Sequence, residues 1–264
     1  MSLVLAIIFF VLGLIIGSFL NVVIFRYGTH RPFRGRSHCL VCQNQLRWHE
    51  LVPLISFIWL KGRCRNCRTR ISLQYPLVEF IAGAVFLGLF IKFQDLFFSD
   101  TLGFSLTYGY YATVFSILLV ISVYDLKHKI IPDKLVLILG IITFLGLFFF
   151  SADGFLLQKM SLLDFSTGIL IALPLALLWL VSKGSWMGLG DAKLALSLGW
   201  ILGPALALAG LIAAFWSGAI AGFLLIIFSR KHKIKSEIPF APFLVFGAIL
   251  VFLFGFHFFP FVLN

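Results

Sequence analysis

The chain has 264 residues, of which 61% are hydrophobic and only 12% are charged. Its hydrophobic fraction exceeds the roughly 45–50% of soluble domains, and its mean hydropathy of +1.07 excludes an ordinary soluble protein. A net charge of +11 would suit nucleic-acid binding, but the positions of the charges follow the pattern of membrane insertion. We therefore predict an all-α polytopic membrane protein that does not bind nucleic acid.

Apolar runs long enough to cross a hydrocarbon core of about 30 Å, which takes roughly 20 helical residues, recur along the chain. The first run has no basic residue before it and no convincing cleavage site, so we predict a retained helix rather than a cleaved signal peptide. The run 192–229 is too long for one crossing and is expected to break at Gly203-Pro204. The sequence thus predicts eight membrane helices: 3–25, 75–93, 105–124, 134–150, 164–182, the two parts of 192–229, and 241–262.

Lysine and arginine concentrate in alternate connections, which hold nineteen of the twenty-one. Because cytoplasmic loops carry the excess of these residues, the connections are predicted to face the cytoplasm and both chain ends to face away. The basic connections are 26–74, 127–134, 183–193 and 230–235. We predict a first membrane helix in 1–25, a small cytoplasmic domain in 26–74 and a membrane domain in 75–264.

All four cysteines lie in the cytoplasmic segment, as two Cys-x-x-Cys pairs. Each pair can present two thiolates to one tetrahedral ion, which is typical of zinc sites. Two disulfides are the alternative, but a cytoplasmic loop lies in a reducing compartment, so the metal is favoured. A site of four thiolates has no open position, which indicates a structural role. The predicted ligands are Cys39, Cys42, Cys64 and Cys67.

Trp48 and Glu50 lie between the two cysteine pairs. Glu50 offers a base or an acceptor for a cationic group, while packing for Trp48 and a solvated surface position for Glu50 are the simpler interpretations. Glu79, at the cytoplasmic end of the second predicted helix, either attracts a basic ligand or pairs with an arginine of the loop.

Two aspartates stand at predicted cytoplasmic helix ends, Asp125 and Asp191. At a helix C-terminus the charge of Asp125 opposes the helix dipole, whereas Asp133, after Pro132, is typical of a helix start. For Asp191, the alternative to a catalytic role is likewise that its side chain caps the start of the next helix. Two neighbouring carboxylates that share a proton can activate water and polarise a peptide carbonyl, so the pair predicts a membrane aspartic protease.

The glycines before Asp191 permit a tight turn and a close approach of substrate backbone. We expect Gly188 and Gly190, with Lys193, to support the geometry of the aspartate pair. An ion-coupled transporter is a competing class, but it predicts charges nearer the middle of the membrane. A non-catalytic membrane scaffold would leave both aspartates as caps.

Several motifs in the same order resemble the type 4 prepilin peptidases. They span residue 13 to about residue 250. The shared stretches are Gly17-Ser18-Phe19-Leu20-Asn21, the two cysteine pairs around Trp48-His49-Glu50-Leu51, Asp125 with Lys129-Ile130-Ile131-Pro132-Asp133, Gly188-Leu189-Gly190-Asp191-Ala192-Lys193, and Ile238-Pro239-Phe240-Ala241-Pro242.

The resemblance implies a multi-pass enzyme of the bacterial inner membrane that works on type IV prepilins or pseudopilins. Such enzymes remove the basic leader on the cytoplasmic side, with catalytic aspartates that correspond to Asp125 and Asp191. They then methylate the new N-terminal amine with S-adenosylmethionine. The resemblance ties the cysteine segment, and an acidic residue at the position of Glu50, to methyl transfer; a peptidase alone, with a purely structural cysteine loop, is the alternative.

Overall fold

The computed structural model describes residues 2–29, 35–151, 154–155, 161–228 and 238–255. These residues are overwhelmingly helical, as predicted, apart from a 3-10 turn at Trp48–Glu50 and a two-residue antiparallel ladder of β1 (Phe150–Ser151) with β2 (Gly154–Phe155). The helices are α1 Ser2–Arg26, α2 Ile55–Trp59, α3 Gln74–Lys92, α4 Gln94–Ser99, α5 Thr101–His128, α6 Asp133–Phe149, α7 Leu162–Ser182, α8 Leu189–Phe228 and α9 Ala241–Phe254.

Five of the described helices, α1, α3, α5, α7 and α8, are long and apolar enough to cross a membrane. Helix α6 has 17 residues and α9 has 14, and the end of the predicted span 241–262 lies outside the described residues, as does the basic segment 230–235. The predicted total of eight membrane helices is therefore not confirmed. The predicted break is present, because Gly203 adopts φ 67° and ψ 176° within α8, directly before Pro204.

The chain divides into two compact units between Gln94 and Asp95. The division predicted from sequence, at 25/26 and 74/75, stays a prediction. In the first unit α1 packs along α3. A Cβ at Gly13 would lie 2.7 Å from the carbonyl oxygen of Ala82, and one at Gly17 would lie 2.8 Å from the Cα of Glu79. Two glycines one helical turn apart thus let the backbones of α1 and α3 touch, as small residues do between membrane helices.

In the second unit α8 packs against α6, α7 and α9, and α5 packs against α6 and α9. The indole N–H of Trp200 on α8 donates to the carbonyl oxygen of Phe165 on α7 at 3.1 Å. The ring of Phe252 on α9 lies 4.6 Å from that of Tyr111 and 5.2 Å from that of Phe115, both on α5. These aromatic contacts fix the packing of α9 against α5, which positions the ends of both helices.

Candidate functional site

Asp125 lies in the last turn of α5 and is only 4% exposed. The helix ends beyond it because Lys129 adopts a left-handed conformation, with φ 54°, and donates its N–H to the carbonyl oxygen of Asp125 at 2.7 Å. The carboxylate accepts the backbone N–H of Ala241, the first residue of α9. Because the first N–H groups of a helix have no partner within it, the start of α9 offsets the unfavourable position of this charge at the end of α5.

Asp191 lies in the first turn of α8 and is 7% exposed. Its carboxylate accepts the N–H of Gly188, which precedes it. A capping side chain instead accepts an N–H two or three residues after it, so this bond does not have the geometry of an N-cap. Among the described residues, its Oδ1 is buried without a hydrogen-bond partner. A buried carboxylate oxygen left without a donor is uncommon in folded proteins.

The structure brings the two aspartates together, since the carboxylate of Asp191 interacts electrostatically with that of Asp125. Lys193, which we expected to support this pair, forms an ion pair with Asp133 at 2.7 Å. Asp133 is the first residue of α6, so the ion pair joins the starts of α6 and α8. The site therefore holds two desolvated acids, while the nearby cation is engaged with a different, exposed carboxylate.

The two glycines before Asp191 differ in their surroundings. A Cβ at Gly190 would lie 2.9 Å from the Cβ of Ile131, in the connection between α5 and α6. A Cβ at Gly188 would meet only ordinary contacts, the nearest being Asp191 Oδ2 at 3.7 Å. Gly190 thus permits the close approach that positions the start of α8, and Gly188 supplies a backbone donor to Asp191.

The four cysteine sulfurs of the first unit all lie within 4.8 Å of one another. The thiols are free, with Cys39 Sγ 3.7 Å from Cys67 Sγ and Cys42 Sγ 4.0 Å from Cys64 Sγ. A disulfide would need about 2.05 Å, whereas four sulfurs about 2.3 Å from one tetrahedral ion lie roughly 3.8 Å apart. The predicted donors therefore fit a four-coordinate metal ion.

Each cysteine pair is folded in the same way. Gln43 and Arg68, one residue after the second cysteine of each pair, both have left-handed φ angles, of 56° and 57°. Antiparallel bridges close the turns at equivalent positions, His38 with Gln45 and Arg63 with Arg70. Two matching turns thus present their thiols to a common centre.

Backbone N–H groups in these turns point at the sulfurs. The N–H of Asn44 lowers the pKa of the Cys42 thiol to about 6, and that of Cys67 lowers the pKa of Cys64. Hydrogen bonds of this kind favour the thiolate, which is the form that binds a metal.

Of the two residues between the cysteine pairs that we singled out, Glu50 lines a large cavity of the first unit, and Trp48 is not among the residues that line it. Trp48 is 80% exposed and its ring meets that of His49 at 5.6 Å. Glu50 Oε2 accepts the N–H of Arg47 at 2.7 Å. Glu50 thereby stabilises the turn in which it lies, and it also faces a large pocket of the first unit.

This cavity of about 700 Å³ lies among α1, α3 and the cysteine segment. Such a volume is in the range of small-molecule sites. Its wall includes Ser18, Asn21, Cys39, Glu50, Tyr75 and Glu79. Glu79 Oε2 accepts the N–H of Leu54 at 2.9 Å, and the carboxylate also accepts a hydrogen bond from the side chain of Ser18. Both donors are neutral groups, and pairing of Glu79 with an arginine of the loop stays a prediction.

Sequence reasoning singled out neither the N–H of Ala241 nor the side chain of Asn21. Every residue except proline has a backbone N–H, so the sequence does not reveal which one donates to Asp125. The one available signal was Pro242, directly after Ala241, which is typical of a helix start. Asn21 was a better candidate, because an amide inside an apolar helix is costly unless it is used.

Comparison with known proteins agrees with the residue patterns. The model of the bacterial peptidase A24 N-terminal domain matches residues 11–93, and that of the type IV leader peptidase family matches residues 112–227. No solved structure matches the chain.

Named relatives match over nearly the full length. A prepilin leader peptidase/N-methyltransferase of Bacillus subtilis is 31% identical over 254 residues, covering 94% of this chain and 94% of the relative. A type 4 prepilin-like proteins leader peptide-processing enzyme of Escherichia coli is 32% identical over 265 residues, covering 90% and 89%. A Burkholderia pseudomallei relative with the first name is 32% identical, covering 93% and 84%. The chain belongs to the type IV leader peptidase family and is an enzyme of the membrane.

Proposed function

We propose that this enzyme removes the basic leader of type IV prepilins or pseudopilins, with Asp125 and Asp191 as its catalytic pair, and then methylates the new N-terminus. The work takes place on the cytoplasmic side of the bacterial inner membrane, where the basic connections between helices are expected. The observation that carries the proposal is the meeting of two buried carboxylates on different helices. The names of the relatives supply the substrate class.

Hydrolysis follows from the different partners of the two acids. The N–H at the start of α9 favours a negative charge on Asp125, and Oδ1 of Asp191, which lacks a partner in the described part of the chain, is available to hold a shared proton. Asp125 takes a proton from water as the water oxygen attacks the scissile carbonyl carbon, while Asp191 donates its proton to the carbonyl oxygen.

Collapse of the tetrahedral intermediate breaks the C–N bond. The departing amine takes the proton that Asp125 received, and the carbonyl re-forms as the proton on its oxygen returns to Asp191. The pair ends as it began, with one proton, and no other group need be consumed. An apolar helix of the substrate in the bilayer would bring the scissile bond to these helix ends.

The test is cleavage of a prepilin in membranes by Asp125→Asn and Asp191→Asn, with Asp133→Asn as the matched control. Asp133 is an exposed aspartate whose carboxylate pairs with Lys193. Each dyad variant is expected to lose at least about 100-fold in rate, since general acid–base catalysis contributes about 10²–10⁴-fold. The control should remain within a few-fold of the wild type. Undiminished processing by either dyad variant contradicts the mechanism.

Methyl transfer is assigned to the first unit. Cys39, Cys42, Cys64 and Cys67 would hold zinc, whose preference for four thiolates matches their spacing. The closed donor set gives the ion a structural role, namely to hold the wall of the cavity. The cavity, which Glu50 and Glu79 both face, is large enough for a nucleoside-containing ligand.

S-Adenosylmethionine would supply an electrophilic methyl group to the free amine of the cleaved substrate. This transfer would exchange the carbon–sulfur bond of the donor for a carbon–nitrogen bond and would release one proton from the amine. Glu50, which lines the cavity, would accept this proton or orient the amine, and its carboxylate also stabilises the local turn. Radiolabelled methyl transfer to a pre-cleaved peptide tests this half of the proposal separately from cleavage.

A further inference from the structure

We propose that Glu79 and Asn21 form a receiving site for a primary ammonium group of the methylation reaction, an inference that rests on the proposed function. Both residues line the cavity of about 700 Å³ and both are more than nine-tenths buried, with exposures of 7% and 1%. The packing of α1 on α3 puts them on neighbouring turns, because Gly17, one turn before Asn21, lies against the backbone of Glu79, and Asn21 itself bonds to Tyr75, one turn before Glu79.

The hydrogen bonds of Asn21 leave one atom unused. Its Nδ2 donates to the carbonyl oxygens of Gly17 at 3.3 Å and Tyr75 at 3.1 Å, which fixes the orientation of the amide. Its Oδ1 is buried and has no partner within the described chain. A buried amide oxygen without a donor costs free energy, so this position calls for a ligand that brings an N–H or O–H group.

Glu79 also favours a ligand that carries hydrogen-bond donors, and in addition it favours a positively charged one. Its carboxylate accepts hydrogen bonds from the N–H of Leu54 and from Ser18, and both donors are neutral. A carboxylate removed from water is stabilised best by a positive partner. Glu79 and Asn21 thus offer a negative charge and an unused acceptor, which an ammonium group with three donors satisfies.

Two sources of such a group exist in the reaction. One is the α-ammonium of the methyl donor, and the other is the new N-terminus of the cleaved substrate. The cavity wall also carries several arginines, which suit a ligand that has a carboxylate as well as an ammonium group. They are Arg36, Arg70 and Arg65, the last of which already contacts His49 Nε2 at 2.9 Å. This charge pattern matches the amino-acid end of the donor better than it matches a peptide N-terminus.

Calorimetry on the purified, metal-loaded full chain distinguishes the sources. The first pair of probes is S-adenosylhomocysteine and its analogue without the α-amino group; the second is a peptide of the processed N-terminus with a free or an acetylated amine. Glu79→Gln keeps the size of the side chain and an acceptor for Leu54. We expect it to weaken binding of one amine-bearing probe about 10–100-fold, the range of a charge-assisted hydrogen bond, and to spare the amine-free partner.

Loss confined to S-adenosylhomocysteine identifies the donor, and loss confined to the free-amine peptide identifies the substrate. Glu79→Asp, which keeps the charge, should keep most of the preference for an amine, and Asp95→Asn, which removes an exposed carboxylate, should leave it unchanged. Equal affinity changes for amine-bearing and amine-free probes overturn the inference. If the wild type transfers methyl groups but Glu79→Gln does not change its preference for amine-bearing probes, only this inference fails. If the wild type cleaves prepilin but neither binds the probes nor transfers methyl groups, the methylation proposal fails as well.

Discussion

The contact between Gly190 and Ile131 makes the position of Asp191 sensitive to one methyl group. Replacing Gly190 with alanine would put a Cβ 2.9 Å from the Cβ of Ile131. Carbon atoms in contact normally lie about 3.5–4.0 Å apart, so the two segments must separate by roughly 0.6–1.1 Å. This movement would separate the start of α8 from the connection that follows α5. Asp191, at the start of α8, would thereby move away from Asp125, in the last turn of α5.

The expected effect is larger on catalysis than on stability. Overpacking of this kind costs about 1–3 kcal/mol, and the higher helix propensity of alanine returns up to about 1 kcal/mol, so the net loss of stability is about 0–3 kcal/mol. A displacement near 1 Å between catalytic groups costs about 100-fold in rate. We expect Gly190→Ala to remain folded and to cleave prepilin about 100-fold more slowly.

The matched control is Gly188→Ala, whose methyl group would meet Asp191 Oδ2 at an ordinary 3.7 Å and would leave the Gly188 N–H in place. Initial cleavage rates in detergent and thermal unfolding of the same samples separate the two effects. Ile131→Gly removes the opposing Cβ and should restore most of the rate to Gly190→Ala. Equal rates for the two alanine variants, or a loss at Gly190 that Ile131→Gly does not relieve, would refute the reasoning.

Three further outcomes follow from the structure. Removal of metal by a chelator, or Cys64→Ser, should abolish methyl transfer and leave most prepilin cleavage, because four neighbouring thiolates lose their shared cation; parallel loss of both activities contradicts separate sites. Gly13→Ala should lower the melting temperature, since its Cβ would lie 2.7 Å from the carbonyl oxygen of Ala82, whereas Gly109→Ala, with open space around it, should not. Lys193→Met should change stability by no more than about 1 kcal/mol, because an ion pair in which Asp133 is 76% exposed contributes little; a large loss of cleavage would show that Lys193 acts on the dyad.

Features fixed by local chemistry were predictable from the sequence. Gly203 followed by Pro204 predicted the break in α8, because φ 67° with ψ 176° is a conformation that only glycine adopts readily. The Cys-x-x-Cys spacing predicted the cluster of four sulfurs, since each pair presents two thiols on one turn. Positive charge near helix ends likewise indicated membrane insertion.

Features that depend on the packing of distant segments were not predictable. The donor to Asp125 is a backbone N–H more than a hundred residues away, at Ala241. The cavity lies in the space that α1, α3 and the cysteine segment leave between them. The hydrophobic periodicity of a sequence predicts which faces pack together, but it does not predict an empty space between them. The count of eight membrane helices is not confirmed for a related reason: apolar composition alone gives no helix length, and α6 has 17 residues.

The surroundings of the two aspartates explain why the start of α9 matters for catalysis as well as for packing. Two buried carboxylates close together repel one another, and each also lacks the hydration that it has in water. Asp125, at the end of α5, faces the negative end of its own helix dipole, whereas Asp191 lies in the first turn of α8 and accepts the N–H of Gly188. The N–H of Ala241 gives Asp125 a donor at the start of α9, which α5 itself does not supply. In the proposed mechanism this asymmetry gives two chemically identical side chains different roles, because Oδ1 of Asp191, which has no hydrogen-bond partner among the described residues, carries the shared proton.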